Sequence, residues 1–181
     1  MSYAIFRCQN INTLNDLSQI GSHNKRDKES YKSNPNIRKE DSYKNIELVK
    51  CNKKYLNKFY DITSEYRKEH EEKMKTIRQD RIKTFNQMVN DSKSCVADEM
   101  IFTSDILKWA NGCMDFIYKD LGYKKEQVLH SVLHLDEKTP HIHCVVVPLV
   151  KKFDKRVNKE KYSISKRDYI KDQLHLSILQ D

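Results

Sequence analysis

Apolar positions mark out a small set of elements along this chain. Tyr3-Ala4-Ile5-Phe6-Arg7-Cys8 predicts a first strand, and Ile46-Glu47-Leu48-Val49-Lys50-Cys51 alternates with the period of a second. Between them a mixed polar segment leads to Gly21, and the stretch from there through Tyr31, Asn34-Pro35 and Tyr43 has too few apolar residues to pack by itself. It reads as an exposed, mobile loop. From about 55 to 89 the chain is charged and nearly free of breakers. Tyr55, Phe59, Ile62 and Tyr66 recur at three- and four-residue steps there, and Met74, Ile77, Ile82, Phe85 and Val89 extend the stripe, predicting one or two amphipathic helices. Met100-Ile101-Phe102-Thr103 predicts a third strand. A helix over 105–121 follows, capped by Thr103-Ser104-Asp105 and closed by Gly122, with Ile106, Trp109, Ala110, Cys113, Phe116 and Ile117 assigned to the core. A last helix, roughly 166–179, is expected to bury Ile170, Leu174 and Ile178.

Two further strands lie between these helices. Residues 128–135 alternate, and Cys144-Val145-Val146-Val147 is a β-branched run of the kind that forms a buried strand. Asp136-Glu137-Lys138-Thr139-Pro140 separates them with turn chemistry, so the two are read as antiparallel neighbours. Strands early, helices between and two central strands late make the class α+β: an antiparallel sheet with helices packed on one face.

That turn changes the picture from architecture to chemistry. Side chains two apart on a strand share a face, so His141 and His143 project together while Ile142 and Cys144 face away. Pairing across the turn brings His134 to the same edge, and the loop can swing Glu137 inward. Three imidazoles and a carboxylate suit one divalent transition ion, with manganese, zinc, iron and nickel all compatible. Asp136 is the natural partner for the far nitrogen of a ligating histidine. A lone histidine on a strand more often has a structural use, and His130 is left as one of those.

The +8 formal charge and the pI near 9.1 favour a polyanionic partner, nucleic acid first. Five cysteines without a Cys-x-x-Cys pair fit a reducing compartment, and neither a signal peptide nor a membrane-length apolar run is visible, so a cytoplasmic protein is expected. Lys151, Lys152, Lys155 and Arg156 form a basic segment near the expected metal site, suited to phosphate contacts.

His-x-Asp-Glu-x-Thr-Pro-His-x-His, at 134–143, resembles the metal motif of the plasmid mobilisation/recombination (Mob/Pre, MobV-type) relaxases, members of the HUH endonucleases. Ser22-His23-Asn24-Lys25-Arg26 resembles their amino-terminal His-Asn-x-Arg motif, and Asn45-Ile46-Glu47-Leu48-Val49 a middle motif, with Ile46 where an aromatic is common. Leu179-Gln180-Asp181 resembles the start of a later segment, so residues 1–181 are read as a single nicking domain of a longer family.

The resemblance implies an HUH relaxase-like fold with the metal histidines on central strands, and Mn2+ or Mg2+ as the ion. It implies a substrate, plasmid origin-of-transfer DNA, single-stranded or supercoiled. It also implies that His23 is the nucleophile, joining covalently to DNA, with Arg26 as a clamp on the phosphate. Asn24, Lys25, Tyr31 and Tyr43 are then expected along the DNA, the tyrosines stacking on bases and ranking below His23 as nucleophiles. Two other readings compete: a metal-dependent DNA hydrolase without a covalent intermediate, and a basic DNA-binding module with a structural metal.

Overall fold

The computed structural model describes residues 5–28, 31, 34–103 and 109–178, with side chains described as far as Gln173. Its strands are β1 (Ile5–Ile11), β2 (Ile46–Val49), β3 (Ala97–Thr103), β4 (Val128–His134), β5 (His141–Val146), β6 (Leu149–Asp154) and β7 (Lys159–Ile164). The helices are α1 (Leu14–Asn24), α2 (Tyr55–Ile62), α3 (Ser64–Met74), α4 (Phe85–Asn90), α5 (Ala110–Asp115) and α6 (Lys166–Ile178). A five-stranded antiparallel sheet runs in the order β1-β3-β5-β4-β2, which puts β5 at its centre and β4 beside it. β6 and β7 form a separate hairpin.

Alternation along the central strands builds two cores. Met100, Phe102, Ile142, Cys144 and Val146 pack with Ala110 and Cys113 of α5 and with Ile117 in the helical turn that follows it. Ala97, Leu129 and Val145 face α1, α2 and α4 through Leu14, Leu17, Tyr55, Phe59 and Phe85. The α+β class with an antiparallel sheet is thus as expected, but helix covers both faces rather than one. Strands buried on both faces read as continuous apolar runs, and Val145-Val146-Val147 is such a run.

Helix α1 falls where a mixed polar segment was expected. Its start carries a capping box: Asp16 N donates to Thr13 Oγ1 at 3.1 Å, and Thr13 N donates to Asp16 Oδ2 at 3.1 Å. Its buried side, Leu14, Leu17, Gly21 and Asn24, is half polar or side-chain-free, so apolar counting alone misses it. His23 therefore sits in the last turn of a helix, not in a loop. The charged stretch forms three helices where one or two were expected, because Thr63 divides α2 from α3 and the chain leaves helix after Met74.

Trp109 is 46% exposed and is not a core residue. In α6 Ile170 is exposed while its neighbour Tyr169 is buried and stacks on Tyr123, with ring centroids 4.3 Å apart. The expected cap at Ser104-Asp105, Ile106, the start of the first strand at Tyr3-Ala4, and Leu179-Gln180-Asp181 lie outside the described residues, as do the side chains of Leu174 and Ile178. Among the described residues no helix is long and apolar enough to cross a membrane.

Candidate metal centre

His134 and His141 are direct partners across β4 and β5, and His143 faces Val132 two register positions further in. Their rings meet on the α1 side of the sheet: the His141 and His143 centroids are 4.7 Å apart, and His134 lies 5.2 Å from His143 and 5.6 Å from His141. α1 brings a fourth imidazole, His23, 5.8 Å from His134 and 5.6 Å from His143. Ligand atoms of His23, His134 and His143 all lie within 4.8 Å of one another. Glu137, in the loop, has Oε1 at 3.6 Å from His23 Nε2 and 3.8 Å from His141 Nε2. The three expected histidines and Glu137 thus lie near one another, while the ligand atoms closest together are those of His134, His143 and the unexpected His23.

Hydrogen bonding sets the tautomers. His141 Nδ1 is 2.7 Å from the Thr139 carbonyl, which can only accept, so Nδ1 carries the proton and Nε2 the lone pair. His143 Nδ1 donates likewise to Glu99 Oε1 at 2.6 Å. Both ring nitrogens of His134 are buried without a hydrogen-bond partner among the described residues, although Nδ1 is 3.6 Å from Asp136 Oδ1. A buried imidazole with an unused lone pair is costly unless something accepts it. Burial pushes the pKa of His134 down to about 2, with Arg26 and the neighbouring imidazoles adding to the effect, and lowers His141 in the same way. Neutral imidazoles with outer nitrogens oriented by carbonyl or carboxylate are the ligand form for a divalent ion, so these residues fit one.

His23 is held from two sides. Arg26 Nη1 donates to the His23 carbonyl at 2.8 Å and lies 3.3 Å from His23 Nε2. A guanidinium has no acceptor, so Nε2 must present its lone pair. Burial first and Arg26 second lower the His23 pKa to about 4, which leaves the ring neutral and nucleophilic at neutral pH.

Arg26, expected as a phosphate clamp, has its guanidinium turned into the protein. It is 8% exposed, and its fork closes on Asp136 through two bonds of 2.7 Å and on Glu137 Oε1 at 2.6 Å. Its φ of 56° lies in the left-handed region, a conformation that costs about 1 kcal/mol for a residue with a Cβ and that these bonds hold in place. Asp136 is fully buried and also accepts from Ser42 Oγ at 2.7 Å. Burial alone would raise its pKa, but the Arg26 and Ser42 hydrogen bonds outweigh that and keep it ionised.

The family model for plasmid recombination enzymes (Mob/Pre) matches residues 1–177. The chain belongs to this family. It is 29% identical over 170 residues to the plasmid recombination enzyme type 1 of Staphylococcus aureus, covering 93% of this chain and 40% of that protein. A Bacillus sp. plasmid recombination enzyme is 30% identical over 162 residues, covering 82% of this chain and 34% of the relative. The chain thus spans well under half the length of these Mob/Pre relatives. Among solved structures, a Mn-bound MobM relaxase domain in complex with plasmid pMV158 oriT DNA shares the fold, with a TM-score of 0.59 at 23% identity over 94% of this chain and 86% of that one.

The three Mob/Pre motifs sit together around the imidazoles, yet several residues expected along DNA point elsewhere. Asn24 is 3% exposed and donates to Glu99 and Tyr55. Lys25 Nζ donates to the carbonyls of Cys51 and Lys53 at 2.5 and 2.6 Å, tying α1 to the chain beyond β2. Tyr31 is buried, and its hydroxyl donates to the Ser22 carbonyl at 3.2 Å. Residues 34–45, expected to form a mobile arm, wall the metal loop instead: Ile37 bridges to Glu137, Arg38 N donates to the Asp136 carbonyl at 2.8 Å, and Asn45 Oδ1 accepts from Leu135 N and Asp136 N. Tyr43 is 81% exposed and remains open to a base.

The basic segment lies on the β6–β7 hairpin, which leaves the end of β5 opposite His141 rather than beside it. Lys151 pairs with Glu160 at 3.1 Å and Lys152 with Asp168, while Lys155 and Arg156 stand exposed at the turn. Sequence reasoning passed over Glu99, which was visible only as a carboxylate inside an apolar strand, and left His130 aside. His130 is 1% exposed and bonded at both nitrogens, to Tyr55 and Glu47.

Proposed function

We propose that residues 1–181 act as one metal-dependent nicking domain that cuts one strand at a plasmid origin of transfer and keeps the 5′ phosphate on His23. The observation that carries this reading is the neutral His23 imidazole, its ring centroid 5.8 and 5.6 Å from those of His134 and His143 and its Nε2 beside Arg26 and Glu137, at the end of the helix where the family's His-Asn-x-Arg motif begins. His134, His141, His143 and Glu137 would hold the ion, manganese or magnesium, in keeping with the Mn-bound state of the related MobM domains. Bound there, the metal supplies positive charge to the non-bridging oxygens of the scissile phosphate.

His23 Nε2 attacks phosphorus, forming a P–N bond as the bond to the 3′ oxygen breaks. That oxygen leaves and takes up a proton to end as a 3′-hydroxyl, while His23 Nδ1 loses its proton to solvent. Arg26, bonded to the His23 carbonyl, orients the ring, and its contact with Nε2 is given up as that lone pair becomes the P–N bond. The phosphoramidate keeps the phosphodiester's energy, so attack by a 3′-hydroxyl reseals the strand. A cytoplasmic location completes the reading, supported by free cysteines at 8, 51, 95, 113 and 144.

One observation favours the hydrolase as a second reading: the ligand atoms of His23, His134 and His143 are close enough for His23 to be a ligand itself, leaving water to attack. Incubation with single-stranded origin DNA and Mn2+ separates the two. His23→Ala is expected to abolish both nicking and a denaturation-resistant adduct while leaving the Mn2+-induced thermal shift intact; the wild-type adduct is expected to be acid-labile and alkali-resistant. Nicking without any adduct, or loss of the Mn2+ shift in His23→Ala, makes His23 a ligand and the protein a hydrolase. DNA mapped to Tyr43 makes it a tyrosine relaxase.

A further inference from the structure

We propose that Glu99 is the positioning residue that registers the nucleophile helix against the metal-bearing strand, with Asn24 as its link to α1. Glu99 lies on β3, beside β5, and is 2% exposed. Its Oε1 accepts from His143 Nδ1 at 2.6 Å and from Asn24 Nδ2 at 3.3 Å, and its Oε2 accepts from Gln9 Nε2 at 2.5 Å. One carboxylate oxygen therefore touches both a candidate metal ligand and the residue next to His23. Both carboxylate oxygens accept, which an ionised acid provides and an amide provides at one oxygen only.

The bracket continues away from the site. Asn24 Nδ2 also donates to Tyr55 Oη at 3.2 Å, which leaves the Tyr55 proton for His130 Nδ1 at 2.5 Å. His130 Nε2–H then donates to Glu47 Oε1 at 2.9 Å, on the rim of the sheet. Each hydrogen has one acceptor along Glu47–His130–Tyr55–Asn24–Glu99–His143, the two on Asn24 Nδ2 going to Tyr55 and Glu99, and the chain is anchored at two carboxylates. Its direction is therefore fixed, and so is the His143 tautomer: Nδ1–H inward, Nε2 lone pair toward the other imidazoles. Arg26 makes the complementary connection, from just beyond α1 to the metal loop through Asp136 and Glu137. The end of α1 is thus tied to both sources of metal ligands by two residues that follow His23 within three positions.

A carboxylate behind a ligating histidine changes metal affinity by about 10- to 100-fold when removed, whereas misplacement of a nucleophile by an ångström costs about 100-fold in rate. The two roles of Glu99 therefore separate by variant. Glu99→Gln is expected to weaken Mn2+ binding, read by titration calorimetry, by at least 10-fold. Asn24→Ala leaves the His143–Glu99 bond in place, so it is expected to keep the Mn2+ affinity and the DNA KM while lowering the single-turnover nicking rate by 10-fold or more. The nicking arm rests on the function proposed above, but the metal arm does not. A wild type without adduct overturns that function and leaves the Glu99 prediction standing or falling on Mn2+ affinity.

Should Glu99→Gln fail to fold, nitrogen NMR of the wild-type imidazoles in metal-free protein decides the matter. His143 protonated at Nδ1 is the expected result, and His143 protonated at Nε2 overturns the bracket. Unchanged Mn2+ affinity in Glu99→Gln, or wild-type nicking in Asn24→Ala, overturns it equally.

Discussion

At the scale of single residues, the site is built from groups whose protonation is set by burial. His23 and His134 are both held neutral in the folded chain, His23 with its pKa lowered to about 4 and His134 to about 2, against an ordinary value near 6.5. A histidine lowered by folding contributes stability that is fully present above its unfolded pKa and is lost as pH falls from there toward the folded pKa. The window for this protein therefore opens near pH 6.5 and runs down through pH 4. By pH 5 each of the two is expected to cost on the order of 1–2 kcal/mol, which for a chain of this size lowers Tm by roughly 5–10 °C in total. Metal-free melts from pH 8 to pH 5 test this: the Tm should be level above pH 7 and fall below 6.5. A level Tm down to pH 5 would show that these imidazoles are not buried neutral.

Secondary-structure elements determine where those residues stand, and α1 is the decisive one. It approaches α2 closely at Gly21, where a Cβ would lie 2.8 Å from the Tyr55 ring. Tyr55 is itself 2% exposed and hydrogen-bonded, so it cannot move aside freely. Gly21→Ala is accordingly expected to push α1 off α2 at a cost of about 1–3 kcal/mol, the usual cost of overpacking. Because His23 lies two residues further along the same helix, nicking should fall more than stability does. A urea melt and a single-turnover assay on this variant measure the two effects. Wild-type values in both would mean that α1 tolerates a shift, and that its position is not what places His23.

At the scale of the molecule, whose net charge is +8, only part of the positive charge on the expected DNA-binding residues is free to meet a polyanion. Arg26, Lys25, Lys151 and Lys152 are engaged within the protein, which leaves Lys155 and Arg156 at the hairpin turn as exposed cations of the expected phosphate-binding segment. If DNA reaches that turn, neutralising both should flatten the slope of log affinity against log salt by about 1.4, at roughly 0.7 per phosphate contact on a single strand. Neutralising Lys151 and Lys152, already paired, should change the slope less. Equilibrium binding to origin DNA at several salt concentrations gives both slopes. Equal effects from the two pairs would mean that the carboxylate partners do not screen Lys151 and Lys152.

The chain's local signals were enough for the strand pair at 128–146, the turn between them and the convergence of His134, His141 and His143, because strand parity and a short turn act over a few residues. Even α1 was written locally, in the Thr13 and Asp16 capping box, though its buried side offered no apolar stripe to count. The tertiary structure alone decided what Arg26, Asn24 and Glu99 do. Arg26 meets Asp136 across 110 positions, and Asn24 meets Glu99 across 75. Such pairs leave no periodic trace, since a lone charged or amide residue reads as solvated or ligand-facing until its partner is brought to it. Burial turned these residues inward: an ionised group enclosed between helix and sheet has to find its counter-charge or its donors inside the fold.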